Sequence, residues 1–311
     1  MPNILFAAGD KRWQQYKDTL PLAFDAVGLT DCDLRRDHAP QDTDYIVYAP
    51  SEGGLSDFTP YTKTKAVLCL WAGVEDIVTN TTLTQPLTRM VDTGLSEGMV
   101  EWVTGQILRH HLGLDAQIIN PDHKWQAIAP PLARNRTVAI LGLGALGAAC
   151  GAALAALNFN VTGWSRSQKS LPGITCHSGE DGLQEVLNTA EILVLLMPLT
   201  TATENLINAR TLAEMPKGAV IINPGRGPLI DDNALIAALD SGHIAHATLD
   251  VFRQEPLPQG HPFWAHPKVT VTPHIASETR PETASQVIAK NIRRSEQGEP
   301  LMHLVDRSTG Y

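Results

Sequence analysis

Three polar residues, each placed directly after an apolar run, carry the chemistry this sequence can do. Val220-Ile221-Ile222-Asn223-Pro224-Gly225 leads to Arg226, Ala247-Thr248-Leu249 ends at Asp250, and Val269-Thr270-Val271-Thr272-Pro273 leads to His274. Glu255 follows Asp250 in Val251-Phe252-Arg253-Gln254-Glu255-Pro256. In open α/β sheets, ligands bind outside the carboxyl ends of the strands, so residues in these places meet at one edge. A guanidinium can clamp a carboxylate with two parallel hydrogen bonds. An imidazole can exchange a proton with a carbonyl or hydroxyl oxygen. A carboxylate beside it raises its pKa and keeps it protonated near neutral pH, as carbonyl reduction requires. Taken singly, each residue has a plainer reading. Arg226 is equally a helix or loop salt bridge, Asp250 a helix N-cap, and His274 one of eleven histidines that are mostly surface or structural. Their joint placement carries the expectation. His110 and His111 are adjacent on a helix and share no face. His243, His246, His261, His266 and His303 sit in turns or at element ends without a comparable constellation.

These residues need a sheet to position them and a cofactor to act with. Residues 138–167 read VAILGLGALGAACGAALAALNFNVTGWSRS, which is strand, glycine turn, helix, strand. In that layout a G-x-G-x-x-G match points to a dinucleotide site, the alternative being a tight βα turn in some other doubly wound domain. Gly142 permits the tight turn, Gly144 lets the backbone approach a pyrophosphate, and Gly147 lets helix and strand pack closely. The helix opening at Ala145 and Leu146 offers free N–H groups and a partial positive charge to the phosphates. NAD sites usually place Asp or Glu at the end of the second strand, about 20 residues past the glycines. Here that place reads Trp164-Ser165-Arg166-Ser167-Gln168-Lys169, with no carboxylate. A 2′-phosphate is a near-dianion that a guanidinium and hydroxyls can bind. NADPH is therefore the expected cofactor, with NADH possible, and Arg166 is its main contact, assisted by Ser165, Ser167 and Lys169. The alternative is that Arg166 and Lys169 are ordinary solvated charges.

The chain has 311 residues, enough for two domains. Its 43% hydrophobic and 18% charged content is that of a soluble globular protein. A net charge of −9 argues against nucleic acid or an anionic membrane as partner. Cys32, Cys69, Cys150 and Cys176 are scattered without C-x-x-C spacing, so reduced thiols in a cytoplasmic protein are expected, with no metal site. The N-terminus lacks signal-peptide character, and no apolar run reaches the length of a membrane span. Candidate strands at 4–7, 45–49 and 66–71 precede a helix from 96 to about 118 and a polar, proline-bearing stretch at 120–136 that contains Trp125. Further strands fall at 192–196, 220–222, 246–249 and 269–272, and a last helix at 280–297. A dinucleotide domain in mid-chain implies that the flanking segments together form a discontinuous second domain.

The set GLGALG, INPGRGPLID, TLDVFRQEP and TPHIAS resembles the D-isomer-specific 2-hydroxyacid dehydrogenase family. Matching stretches run from about Ala66 onward. Trp164-Ser165-Arg166, Trp264 before His266-Pro267, Thr279-Arg280-Pro281 and the Asp306-Arg307…Gly310-Tyr311 ending are most like its members that act on glyoxylate and hydroxypyruvate. The resemblance implies an α/β fold with a doubly wound Rossmann domain at 97–277. That domain is inserted in a flavodoxin-like substrate-binding domain made of 1–96 and 278–311. It implies that Arg226 binds the substrate carboxylate and carbonyl, that His274 is the acid/base with Glu255 as its partner, and that Asp250 lies near the nicotinamide. Trp71 and the Ala72-Gly73-Val74 turn match the loop whose backbone N–H groups bind the carboxylate. Pro198 and Leu199 match the loop beside the cofactor, and Asn223 and Pro224, which stand where the family often has small or apolar residues, are expected to contact the cofactor as well. Arg280 either adds positive charge near the substrate or pairs with a surface acid. The resemblance further implies a homodimer, in which Trp125 either caps the partner's site or only packs at the interface. Ala276 departs from the family's usual His-Ile-Gly-Ser pattern. The expected activity is NADPH-preferring reduction of small 2-oxo acids, glyoxylate and hydroxypyruvate first. The alternatives are a dehydrogenase for a bulkier 2-hydroxy acid and a dinucleotide-sensing interaction protein.

Overall fold

The computed structural model describes residues 1–311 apart from Ser51, Gly53, Gln126, Ser308, Thr309 and Tyr311. The chain divides into two compact units, Met1–Leu95 with Glu278–Tyr311, and Ser96–Ser277.

The first unit is a five-stranded parallel sheet. Its strands are β1 (Asn3–Ala7), β2 (Asp33–Arg35), β3 (Tyr45–Tyr48), β4 (Ala66–Cys69) and β5 (Leu87–Thr88), in the order β2-β1-β3-β4-β5. That is the flavodoxin-like order. Both faces are covered, so the central strands read as unbroken apolar runs (YIVY and AVLC, buried at every position). On one face Ile4, Phe6, Val47 and Leu68 pack with Leu20, Phe24, Ile288 and Ile292 of the helices Thr19–Ala26 and Pro281–Glu296. On the other, Leu5, Ile46 and Val67 pack with Phe58, Ile77 and Leu83. Each such side chain, once fully buried, contributes roughly 1.5–3 kcal/mol. Arg12 ties Glu278 to Glu52, with both N–O distances at 3.1 Å.

The second unit is a seven-stranded parallel sheet of β6 (Thr137–Leu141), β7 (Asn160–Trp164), β8 (Thr175–His177), β9 (Ile192–Leu195), β10 (Ala219–Asn223), β11 (Ile244–Leu249) and β12 (Val269–Val271). Their order is β12-β11-β10-β9-β6-β7-β8. Alternate side chains enter two cores: Ala139, Leu141, Leu193, Leu195 and Ile221 face one side, Val138, Ile140, Val194 and Ile222 the other. The strand order reverses between the neighbours β6 and β9, which puts the topological switch point at the glycine loop. Gly142, Pro198, Arg226, Asp250 and His274 all follow the carboxyl ends of strands in this sheet.

Two expectations are corrected. The helix expected from 96 to about 118 is two, Thr93–His111 and Leu114–Ile118, separated at Gly113 with φ 62°. Glycine takes this left-handed conformation without a Cβ penalty and ends the helix there. Strands β2, β5 and β8 went unmarked in the sequence. All three are sheet edges of two or three residues, too short to carry a periodic signal.

Candidate active site

The glycine loop divides its tasks among three positions. Gly142 has φ 109°, and a Cβ there would lie 2.5 Å from the Met197 nitrogen. At Gly147 a Cβ would lie 1.9 Å from the Gly142 carbonyl oxygen, so the helix Ala145–Ala156 can approach the loop only because this residue lacks one. Gly144 is the opposite case: it is exposed, and nothing lies within 4 Å of where its Cβ would be. It is the helix N-cap and supplies no side-chain cap, so a space remains in front of the helix N-terminus that begins at Ala145 and Leu146. An anionic diphosphate fits such a cradle by charge and by room.

The loop after β7 is shaped from within. Gln168 donates to the Cys176 carbonyl and accepts from the Ser178 hydroxyl, each at 2.9 Å. The Ser165 hydroxyl, expected to face a phosphate, donates to the Ser167 carbonyl at 2.8 Å. Arg166, Ser167 and Lys169 are exposed. No carboxylate stands in this segment, so the donor set suits a 2′-phosphate better than a bare ribose hydroxyl. The shaping role of Gln168 has a weak signal in the sequence, an amide side chain in a strand-end loop.

His274 and Glu255 meet: Nδ1 of the imidazole lies 2.7 Å from Oε2 of the carboxylate. Oε1 of the same carboxylate accepts from the Phe252 N–H at 2.9 Å, which fixes its orientation. The hydrogen bond to Glu255 raises the His274 pKa above its ordinary value, and the charges of Glu255 and Asp250 add to this, against burial and the charge of Arg226. Burial opposes ionisation of Glu255, but the bonds from His274 and Phe252, with the charges of His274 and Arg226, bring its carboxyl below the usual range. The His274 side chain is 50% exposed, so its Nε2 face is open to a ligand. Its backbone is left-handed, with φ 55°. The His274 N–H donates to the Asp250 carbonyl at 2.9 Å.

Asp250 holds that turn. It is fully buried, and its carboxylate accepts from the Thr272 hydroxyl at 2.5 Å and from the N–H groups of Ile275 at 2.9 Å and Ala276 at 2.8 Å. These three donors surround His274 in the sequence, so the carboxylate shapes the turn that presents the imidazole. Asn223 does the same for Arg226. Its side chain accepts from Gly225 N–H at 3.0 Å and donates to the Arg226 carbonyl at 2.9 Å. The half-buried Arg226 guanidinium donates to the Gly225 carbonyl at 2.7 Å. Pro198 and Leu199 are half-buried after β9, and Pro224 is buried.

In the first unit, Trp71, Ala72 and Gly73 are half-buried after β4, and Val74 is buried at the start of the helix Glu75–Val78. Arg280 is the exposed N-cap of the helix Pro281–Glu296, and its side chain packs beside Gly94.

The matching family model is the D-isomer specific 2-hydroxyacid dehydrogenase, NAD binding domain, over residues 104–276. The chain belongs to that family. Glyoxylate/hydroxypyruvate reductase A of Salmonella choleraesuis (strain SC-B67) is 40% identical over 255 residues, which cover 79% of this chain and 82% of the relative. A D-isomer specific 2-hydroxyacid dehydrogenase from Xanthobacter autotrophicus Py2, solved in complex with NADPH and MES, superposes with a TM-score of 0.92 at 39% identity, covering 100% of this chain and 99% of that one. The NADPH-dependent glyoxylate/hydroxypyruvate reductase of Sinorhizobium meliloti, solved with NADP and sulfate, has a TM-score of 0.88 at 33% identity over 100% of both chains.

One polar cluster in this family member lies apart from the strand-end site. The rings of His110 and His246 are 5.0 Å apart, Nε2 of His110 lies 2.9 Å from the Thr248 hydroxyl, and Nε2 of His246 lies 2.9 Å from the Thr270 hydroxyl. Spacing alone shows no constellation around these histidines, because helix and strand neighbours distant in the chain are invisible to it. Burial, then the charges of His246 and Arg109, push His110 down to about 4. A neutral imidazole here is a packing group. Of the sequence motif Asp306-Arg307…Gly310-Tyr311, Tyr311 lies outside the described residues, as do Ser308 and Thr309 within it. Arg307 donates to the carbonyls of Val78, Asn80 and Leu83.

Proposed function

We propose that this chain is an NADPH-dependent reductase of small 2-oxo acids, glyoxylate and hydroxypyruvate first. The observation that carries the reading is the His274–Glu255 pair at 2.7 Å, an acid whose pKa is raised, in the same unit as Arg226 and the open glycine cradle. The relatives' names support the substrate class, and the NADPH and NADP in the two solved structures support the cofactor.

Gly142, Gly144, Ala145, Leu146 and Gly147 would hold the diphosphate, and Arg166, Ser167 and Lys169 the 2′-phosphate. Ser165 would shape that loop. Pro198, Leu199, Pro224 and Asp250 would line the rest of the cofactor site. The reduced nicotinamide, when bound, supplies a hydride. Arg226 grips the substrate carboxylate and polarises the keto oxygen. The backbone of Trp71, Ala72, Gly73 and Val74 supplies further N–H donors to the carboxylate, and Arg280 adds positive charge. His274 Nε2–H gives its proton to the oxygen on which charge develops. Glu255 keeps the imidazolium charged and oriented until then.

Oxidation of NADPH and of NADH with a panel of 2-oxo acids of rising size tests this. A rate that peaks with glyoxylate or hydroxypyruvate is expected. A peak with branched or phenyl-substituted acids would shift the substrate class, and a flat panel would remove the activity. Arg166→Ala should raise the KM for NADPH about tenfold or more, with that for NADH little changed. An unchanged cofactor preference would sink the role of Arg166.

The pH dependence has a definite sign. Reduction needs the imidazolium, so kcat/KM for reduction is full below the raised His274 pKa and falls as pH rises through it. Oxidation of the 2-hydroxy acid needs the neutral imidazole and has the opposite slope. Glu255→Gln removes the main cause of the raised value, so the falling limb of the reduction profile should move to lower pH. A limb that stays in place would separate Glu255 from the acid.

The reading includes a homodimer formed through residues 112–132. Ile118, Ile119, Trp125 and Ile128 are 75%, 72%, 97% and 75% exposed there, more apolar surface than an isolated chain usually shows water. Sedimentation velocity should give twice the chain mass, and Trp125→Ala should raise the substrate KM if its ring caps the partner's site. A cytoplasmic location belongs to the same proposal, supported by four unpaired cysteines. Among the described residues, no helix is long and apolar enough to cross a membrane.

A further inference from the structure

Arg253 lies outside every role given so far, yet it sits where three strand-end loops come together. Its Nη2 donates to the Ile230 carbonyl, to the Asn205 side-chain oxygen and, at 3.5 Å, to the Pro228 carbonyl. Its Nε lies 3.6 Å from Asp232, and its Nη1 lies 3.8 Å from Glu204. The three loops are those after β9, β10 and β11. The first holds Asn205, the second runs from Arg226 to Ile230, and the third holds Arg253 itself and Glu255. Backbone contacts join the first two: Asn205 N–H donates to Pro228 at 2.8 Å, and Ile207 N–H to Leu229 at 3.0 Å. The second and third also touch directly. A Cβ on Gly227 would lie 2.0 Å from the Phe252 carbonyl carbon and 2.5 Å from the Arg253 nitrogen. Gly227 follows Arg226, and Phe252 donates the N–H that orients Glu255. Side chains could not spread the two loops apart, but no backbone hydrogen bond runs between Gly227 and Phe252 among those described. The guanidinium fork spans that seam.

We propose that Arg253 is a positioning residue of the active site: it holds the loop that presents Arg226 against the loop that presents Glu255. The proposal rests on the reading of Arg226 and Glu255 given above. A guanidinium suits the task because its planar fork reaches several carbonyls at once, which an ammonium cannot. The cleft it borders has a volume of about 430 Å³ and is lined also by Asp231, Asp232 and His261. Asp232 and Glu204 set the charge that keeps the arginine there. A small displacement of Arg226 relative to His274 separates the carboxylate clamp from the proton donor, and misplacements near 1 Å are costly to rate.

The test compares Arg253→Met and Arg253→Lys with the parent protein by steady-state kinetics, by NADPH titration and by NMR titration of the His274 imidazole. Arg253→Met should lower kcat/KM for glyoxylate about tenfold or more, leave the Kd for NADPH within about twofold, and bring the His274 titration down toward that of an ordinary histidine. Arg253→Lys keeps the ion pairs but not the fork. It should retain the melting temperature while kcat/KM stays depressed. If Arg253→Met does not fold, the lysine variant decides alone: parental kinetics and a parental His274 titration overturn the proposal. The same result in a folded methionine variant overturns it too, even if its melting temperature falls. A parent protein that reduces no 2-oxo acid would defeat the functional reading instead, and the His274 titration would still judge Arg253.

Discussion

His274→Asn should leave NADPH binding intact and lower turnover of 2-oxo acids about a thousandfold. Two effects combine in this figure. Loss of a positioned general acid costs roughly 10²–10⁴ in rate. The imidazolium also stabilises the oxygen that becomes negative, and the other described group bonded to Glu255 is the Phe252 backbone N–H, which cannot replace it as an acid. Asparagine is a better replacement than alanine, because His274 sits at φ 55°. Asparagine tolerates the left-handed region, whereas alanine adds backbone strain that would blur the result. The Asp250 staple to Thr272, Ile275 and Ala276 uses none of the His274 side chain, so the turn should survive the change. Fluorescence titration with NADPH and steady-state kinetics read the two quantities separately. Turnover within about tenfold of the parent would remove His274 as the acid.

The parts of this site that were legible in the sequence are those tied to a strand end. Arg226, Asp250 and His274 each follow an apolar run, and β10, β11 and β12 put them at one edge by topology alone. Gly142, Gly144 and Gly147 were legible because each answers a different steric demand of one turn, and the structure assigns each its own. What stayed hidden depends on contacts between loops. Asp250 reads in the sequence as a residue near the cofactor, and the three bonds by which its carboxylate also shapes the His274 turn are invisible there. Asn223 and Gln168 act through their side-chain amides on backbone groups of the same or a neighbouring segment, and an amide in a loop has no periodic signature. The His110–His246 pair needs a helix to cross two strands more than a hundred residues later in the chain, a relation that no local pattern encodes. Strands β2, β5 and β8 stayed hidden because they are two or three residues long, too short for any period to show.

Arg226→Gln should lower kcat/KM for glyoxylate about a thousandfold, with most of the loss in transition-state binding. The guanidinium has two tasks, and glutamine can do neither well. It grips the substrate carboxylate through charge-assisted bonds, which are about twice as strong as neutral ones. It also donates to the keto oxygen as that oxygen gains charge, and loss of one such donor alone costs roughly 10²–10³ in rate. Asn223 holds the Arg226 backbone through bonds at 3.0 Å and 2.9 Å that do not involve the guanidinium, so the loop should keep its shape. Arg226→Lys restores the charge without the fork and should recover only part of the loss. A second readout distinguishes this role from a structural one. The charge of Arg226 lowers the His274 pKa, so its removal should move the falling limb of the reduction profile to higher pH, opposite to the effect of Glu255→Gln. The glutamine variant would then be slow at every pH yet keep its residual rate further into the alkaline range. A variant with a parental KM for glyoxylate and an unmoved limb would show that Arg226 neither holds the carboxylate nor faces the acid.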